Sequence, residues 1–257
     1  MGFPLRRIDV FVKTSPTSKP KRLVEGQQPA WSPDGHRVAY CVRTGPTTFG
    51  HIQFIDVDGS AQAQLTDAIG PRGACPTDWS PDGEKIAATG FGEKPFVVVI
   101  SKDGKNATRI TDGYGARWSP DGKQFLFCRS AEGKGTSGSI WIANSDGTGE
   151  AKVIEDNSDV LSPTWFPDGK SIVFSSEREH KHWSAIFRVN TDGSNLAAIA
   201  DIKHLSLFAP TVSPDGNQVV ADGFEDDSRE GDVVLLDLSN KRTKVLAHGV
   251  HARVIWE

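Results

Sequence analysis

Apolar residues in this chain fall in short runs, cut at close intervals by polar turn signals. Val38-Ala39-Tyr40, Phe96-Val97-Val98-Val99-Ile100 and Ser171-Ile172-Val173-Phe174 are typical of them. Their length and their β-branched and aromatic content predict strands. No segment carries the 3.6-residue periodicity of an amphipathic helix. One boundary between runs is written repeatedly: Trp31-Ser32-Pro33-Asp34-Gly35, then Trp79-Ser80-Pro81-Asp82-Gly83 and Trp118-Ser119-Pro120-Asp121-Gly122. Drifted copies follow at Trp165-Phe166-Pro167-Asp168-Gly169 and Val212-Ser213-Pro214-Asp215-Gly216. Ser, Pro, Asp and Gly in this order suit a type I turn closed by a left-handed glycine. A second turn signal comes later in most copies, at Asp58-Gly59, Asp103-Gly104, Asp146-Gly147 and Asp192-Gly193. Asp-Gly between apolar runs is a strong hairpin signal.

The steps between copies are 48, 39, 47 and 47 residues, and 44 more reach Trp256. A near-constant step means one supersecondary unit stacked on copies of itself. Each unit reads as four antiparallel strands joined by tight turns, which is one blade of a β-propeller. The expected blades cover residues 28–66, 76–111, 115–154, 162–200 and 209–246. Residues 8–26 read as a third and a fourth strand, and 251–257 as a first strand with its Trp. The expectation is therefore a single all-β domain over 1–257, a six-bladed propeller of four-stranded blades. The N- and C-terminal strands would share the sixth blade, of three or four strands, and so close the ring. Trp31, Trp79, Trp118, Trp165 and Trp256 are read as blade-to-blade packing, and the turn Asp as a cap on backbone N–H groups.

Composition narrows the functional classes. A net charge of −4 gives no general attraction to nucleic acid or anionic membrane. No run of 18 apolar residues predicts membrane insertion. The start, Met1 to Arg7, lacks the apolar stretch of a secretory signal. Cys41, Cys75 and Cys128 have no metal-ligand spacing and are read as free, buried thiols. There is no Gly-x-Ser-x-Gly elbow and no phosphate-binding Gly-rich loop.

With its Trp-Ser-Pro-Asp-Gly turn, apolar second strand, third strand ending near Asp-Gly, and a closing segment such as Leu65-Thr66-Asp67, the repeat resembles the TolB-like (WD40-like) propeller family. The resemblance covers nearly the whole chain. Similar propellers occur in TolB, in prolyl-oligopeptidase-like proteases and in bacterial surface proteins and kinases. The resemblance implies a periplasmic or extracytoplasmic home if a leader has been removed; without one, the chain would be cytoplasmic.

Both turn types should lie at one end of each blade. The other end carries the longer loops and the inter-blade links, where binding on a rigid scaffold resides. Six of the seven histidines fall there: His51, His180, His182, His204, His248 and His251. Candidate contacts at the expected channel mouth are Arg72, Tyr114, Arg117, Asp159, His204 and His251. Arg117 is also placed to pair with Asp78 on the preceding blade.

The first functional expectation is a non-enzymatic scaffold, without cofactor and monomeric, that takes a protein or peptide segment at this face. The second is a lyase or hydrolase acting on a saccharide or small molecule, with a divalent metal held by His204, His248 and His251. The third is a substrate-docking or sensor domain of a larger protein.

Overall fold

The structure, a computed structural model, describes residues 9–12, 18–43, 50–65, 69, 73–130, 138–155, 161–179, 183–225 and 231–248. Every element among them is a strand. Among the described residues β1 (Asp9–Val12) and β2 (Lys21–Glu25) pair only with each other. Blade one follows as β3 (Gln27–Trp31), β4 (Arg37–Val42), β5 (His51–Asp56) and β6 (Ala63–Gln64). Blade two is β7 (Ala74–Trp79), β8 (Lys85–Gly90), β9 (Phe96–Ser101) and β10 (Ala107–Asp112). Blade three is β11 (Tyr114–Trp118), β12 (Gln124–Ser130), β13 (Gly138–Asn144) and β14 (Ala151–Glu155). Blade four is β15 (Leu161–Trp165), β16 (Ser171–Ser176), β17 (Ala185–Asn190) and β18 (Ala197–Ala200). Blade five is β19 (Leu205–Val212), β20 (Gln218–Glu225), β21 (Asp232–Asp237) and β22 (Arg242–His248). Each blade is a four-stranded sheet in chain order.

This is an all-β propeller fold with five four-stranded blades among the described residues, which corrects the expected six. The physical reason lies in the hairpins. Each blade grows from a turn of the Pro-Asp-Gly type between its first two strands, and the sequence contains five of those. The N-terminal pair has no such turn, and among the described residues β1–β2 is a two-stranded sheet. The C-terminal strand expected at 251–257 lies outside the described residues.

The chain divides into two compact units, Met1–Ala116 and Arg117–Glu257, with the boundary inside β11. In the first unit, Val10 packs with Val38, Tyr40 and Ile55, and so covers one face of blade one with the β1–β2 pair. Its other core joins Ala30, Ala39 and Ile52 of blade one to Trp79, Ile86 and Val98 of blade two. Trp79 donates Nε1–H to the Ala30 carbonyl at 3.1 Å, so the repeated Trp does tie a blade to the one before it.

In the second unit, strand alternation sorts side chains between two cores. Ile172 and Phe174 of β16 face the core shared with Leu126 and Ile140 of blade three. Val173, between them, faces the core shared with Leu207, Val219 and Val234 of blade five. A strand buried on both faces reads in sequence as a continuous apolar run, which is why β16 shows no alternation. Trp165 repeats the bond of Trp79, with Nε1 to the Arg117 carbonyl at 3.1 Å.

The two drifted turns compensate for each other. Blade five has Val212 where the other described blades have Trp, and the blade-four turn has Phe166 in place of Ser. Phe166 and Val212 share one core, and a Cβ at Gly216 would come within 2.8 Å of the Phe166 ring. Arg188 closes the other side, its guanidinium 3.7 Å from the Phe166 centroid and 2.7 Å from Asp168.

The cysteine reading is also corrected. Cys41 of β4 and Cys75 of β7 form a disulfide, with Cα atoms 5.0 Å apart. The second strand of blade one faces the first strand of blade two, and strand order brings the two thiols together across that junction. Cys128 is free and buried. Burial pushes its thiol up to about 12, against a smaller opposing effect of the Arg117 charge.

The Ser-Pro-Asp-Gly turns form a closed hydrogen-bond set. Ser32 Oγ donates to Asp34 Oδ1 at 2.5 Å, Asp34 accepts the His36 N–H at 3.0 Å, and the Gly35 N–H returns to the Ser32 carbonyl at 2.9 Å. Ser80/Asp82, Ser119/Asp121 and Ser213/Asp215 repeat it. The Ser hydroxyl first, then the backbone N–H, holds these carboxylates below their usual 3.8. At the second turns Asp58, Asp146 and Asp192 are lowered in the same way. A carboxyl whose pKa falls on folding contributes stability above its unfolded value, and that contribution is lost as pH drops through the folded value. Urea midpoints should therefore stay level from neutral pH to about 5 and fall steeply below about 4. A midpoint unchanged down to pH 3 would contradict this coupling.

Candidate functional site at the link end of blades four and five

Within every blade the two turn types do lie side by side at one end. A backbone bond stitches them together: Val57 N–H to His36 O, Lys102 to Glu84, Ser145 to Lys123, Thr191 to Lys170, and Leu238 to Asn217. The polar groups of that end are largely spent on holding the turns. The opposite end carries the links between blades.

How the chain enters each blade from that end was not readable in the sequence. Gln28, Gly115, Ser162 and Ala209 adopt positive φ, at 52°, 67°, 50° and 49°. Each stands three residues before Trp31, Trp118, Trp165 or Val212, where the inner strand shifts register or takes a kink. Only Gly115 advertises the left-handed conformation; the others hold it at a cost of order 1 kcal/mol each. In the first unit Thr89 Oγ1 accepts the Gly115 N–H at 3.0 Å and so fixes that kink.

In the second unit one region of the link end brings together groups with recognition chemistry. β18 ends at Ala200, and the chain turns tightly through Ile202 to Leu205, with Leu205 N–H to the Ile202 carbonyl at 3.0 Å. His204 holds φ at 66° in this turn. The segment 201–208 that links the expected blades is thus half strand, because Leu205–Phe208 pairs with Asp222–Glu225. Trp183, just before β17, donates Nε1–H to Asp201 Oδ1 at 2.9 Å, and its ring lies 5.9 Å from the His204 ring. Ser184 is held to β19 by its N–H to Ser206 Oγ (3.3 Å) and by its carbonyl, which accepts the Leu207 N–H (2.9 Å). Its own hydroxyl is buried without a hydrogen-bond partner. At the same end of blade five, His248 Nδ1 meets Asp232 Oδ1 at 2.7 Å, with the imidazole 93% exposed.

Of the residues expected at the channel mouth, Arg72, Asp159 and His251 lie outside the described residues. Tyr114 is half-buried at the start of β11, in the first unit. Arg117 is half-buried in the second unit, where its carbonyl anchors Trp165 and its charge is felt at Cys128. His204 is exposed at the Trp183 turn. For the metal expectation, the described residues supply no group of three His, Cys, Asp or Glu side chains arranged to hold an ion. His248 is paired with Asp232 instead, and His251 lies outside. Trp183, Asp201, Ser206 and Asp232 were not singled out as contacts. One signal pointed to Trp183, since it and Trp141 are the tryptophans that do not occupy the repeat position. Among the described residues no helix is long and apolar enough to cross a membrane.

Comparison with known proteins agrees with this architecture. A model of the TolB beta propeller domain matches residues 37–254. No curated protein matches the chain. Among solved structures, a putative TolB from Agrobacterium tumefaciens is 23% identical with a TM-score of 0.75, over 90% of this chain and 84% of that one. TolB from Acinetobacter baumannii is 21% identical with a TM-score of 0.66; the likeness covers 83% of this chain and 53% of that one. An oligogalacturonate lyase in complex with manganese is 17% identical with a TM-score of 0.61, over 93% and 70% of the two chains. At these identities the likeness extends to the fold alone.

Proposed function

Because the chain belongs to the TolB β-propeller family, with the family domain spanning residues 37–254, we propose that it is a non-enzymatic scaffold, monomeric and acting as one domain, that takes a protein or peptide segment at the link end of its blades. One observation carries this reading: the turn end uses its polar groups on itself, while the link end of blades four and five presents Trp183, Asp201 and Asp232 at strand ends and His204 in the turn between β18 and β19. Aromatic, imidazole and carboxylate groups on a fixed frame suit peptide recognition, where an aromatic anchor gives area and polar neighbours give register. Arg72, Tyr114, Arg117, Asp159 and His251 remain candidate contacts of the same kind.

The metal-assisted lyase or hydrolase reading depends on His251, and the oligogalacturonate lyase resembles this chain in fold alone. A docking or sensor role within a longer protein would use the same surface.

Selection from a random peptide display library against the folded protein tests the proposal. Ligands should emerge whose binding falls at least about tenfold in the Trp183→Ala/His204→Ala double variant, as expected for loss of an interface anchor. Selected ligands indifferent to both changes, or an absence of ligands, would refute the link-end assignment.

A further inference from the structure

The charge around Trp183 restricts what a bound segment could be. Strand register places Glu177, Glu179, Asp201, Glu225 and Asp232 at the link end of blades four and five, against the cations Arg178 and Lys203. Among the described residues that is a local excess of three negative charges, in a chain whose whole net charge is −4. The region would repel an acidic ligand and attract a basic one.

Trp183 gives that attraction a fixed point. The indole is the best aromatic partner for a cation. Its ring is half-buried, which leaves part of it accessible. Its Nε1–H is locked onto Asp201 Oδ1 at 2.9 Å, so the ring is oriented before any ligand arrives. The same bond puts a formal negative charge beside the ring. His204 forms a neighbouring wall, its ring tilted 46° to the indole and held by the turn at φ 66°. The fold already pairs cations with rings elsewhere: Arg129 stands 4.6 Å from the Trp141 centroid, and Arg109 stands 4.5 Å from that of Phe96.

We propose that this surface takes the side-chain cation of a lysine- or arginine-bearing peptide segment, seated on the Trp183 ring with Asp201 as its counter-charge. The inference rests on the peptide-scaffold reading above and names the class of segment.

The probes are two fluorescein-labelled twelve-residue peptides, a repeat of Gly-Ser-Lys and a repeat of Gly-Ser-Glu, followed by fluorescence anisotropy at low and physiological salt. The lysine peptide should bind and the glutamate peptide should not. Trp183→Leu should weaken the lysine peptide by about fivefold or more, and Asp201→Asn should weaken it to a similar degree. Trp183→Phe keeps a ring and should stay within about threefold of the parent. Unchanged melting curves would show that the variants are folded. Lysine-peptide binding that is indifferent to Trp183→Leu and vanishes with salt would mean diffuse attraction, and would overturn the proposal. Should the lysine peptide fail to bind while display ligands lacking basic residues depend on Trp183, the scaffold reading stands and this inference falls. Failure of every peptide to depend on Trp183 or His204 would remove both.

Discussion

Replacing Trp165 with alanine should cost about 3–5 kcal/mol of stability, the largest single-residue effect expected in the second unit. The ring is buried in the core that joins blade three to blade four, among Leu126, Ile140 and Phe174. Removing it leaves a cavity bounded by two rigid sheets, which can collapse only by moving the blades. It also removes the 3.1 Å bond to the Arg117 carbonyl, and loss of such a part-buried bond adds roughly 0.5–1.5 kcal/mol. Trp165→Phe separates these contributions, since it keeps most of the area and loses only the N–H. Its cost should be about 1–2 kcal/mol. Urea unfolding of both variants measures the difference. A loss below about 1 kcal/mol for Trp165→Ala would mean that the repeated Trp is not what joins these blades.

The second large effect is expected from the disulfide. Cys41 and Cys75 are 34 residues apart in sequence, and a cross-link closing a loop of that length restricts the unfolded chain by about 4 kcal/mol in the chain-entropy model. The Cys41→Ser/Cys75→Ser variant should melt about 10 °C lower, given the 2–4 °C per kcal/mol typical of chains this long. The loss should be concentrated in the first unit, which contains both residues. Thiol counting offers an independent check. Denatured but unreduced protein should expose one reactive thiol, Cys128, and reduction should raise that to the three cysteines of the sequence. In the native protein Cys128 should resist alkylation at neutral pH, because burial holds its thiol near 12. Three thiols titrating without reductant would rule the cross-link out.

The adjustment between blades four and five shows why a repeat reads so well in sequence and yet imperfectly. A turn such as Ser80 to Gly83 is specified by a few adjacent residues. Pro81 sets φ, Ser80 and Asp82 bond each other, and nothing distant is needed. Phe166 and Val212, by contrast, look like two separate lapses from the pattern. Only packing shows that a large ring on one blade fills the space left by a smaller residue on the next.

The chain's own letters determined the unit, its strands, its two turn types and their shared end, and so the propeller family. All of these are local, set by φ-restricting residues and apolar runs within about five positions. The tertiary structure alone decided that the described residues form five four-stranded blades beside a two-stranded β1–β2 sheet, because which strands pair is settled by contacts distant in sequence. It alone decided the Cys41–Cys75 cross-link, which depends on the spacing of two sheets, and the left-handed entries at Gln28, Ser162 and Ala209, which the surrounding fold enforces against local preference. The setting of Trp183 belongs with these, since its indole is oriented by Asp201 and flanked by His204, residues 18 and 21 positions along the chain that meet it only when β18 pairs with β17 and the chain turns at its end.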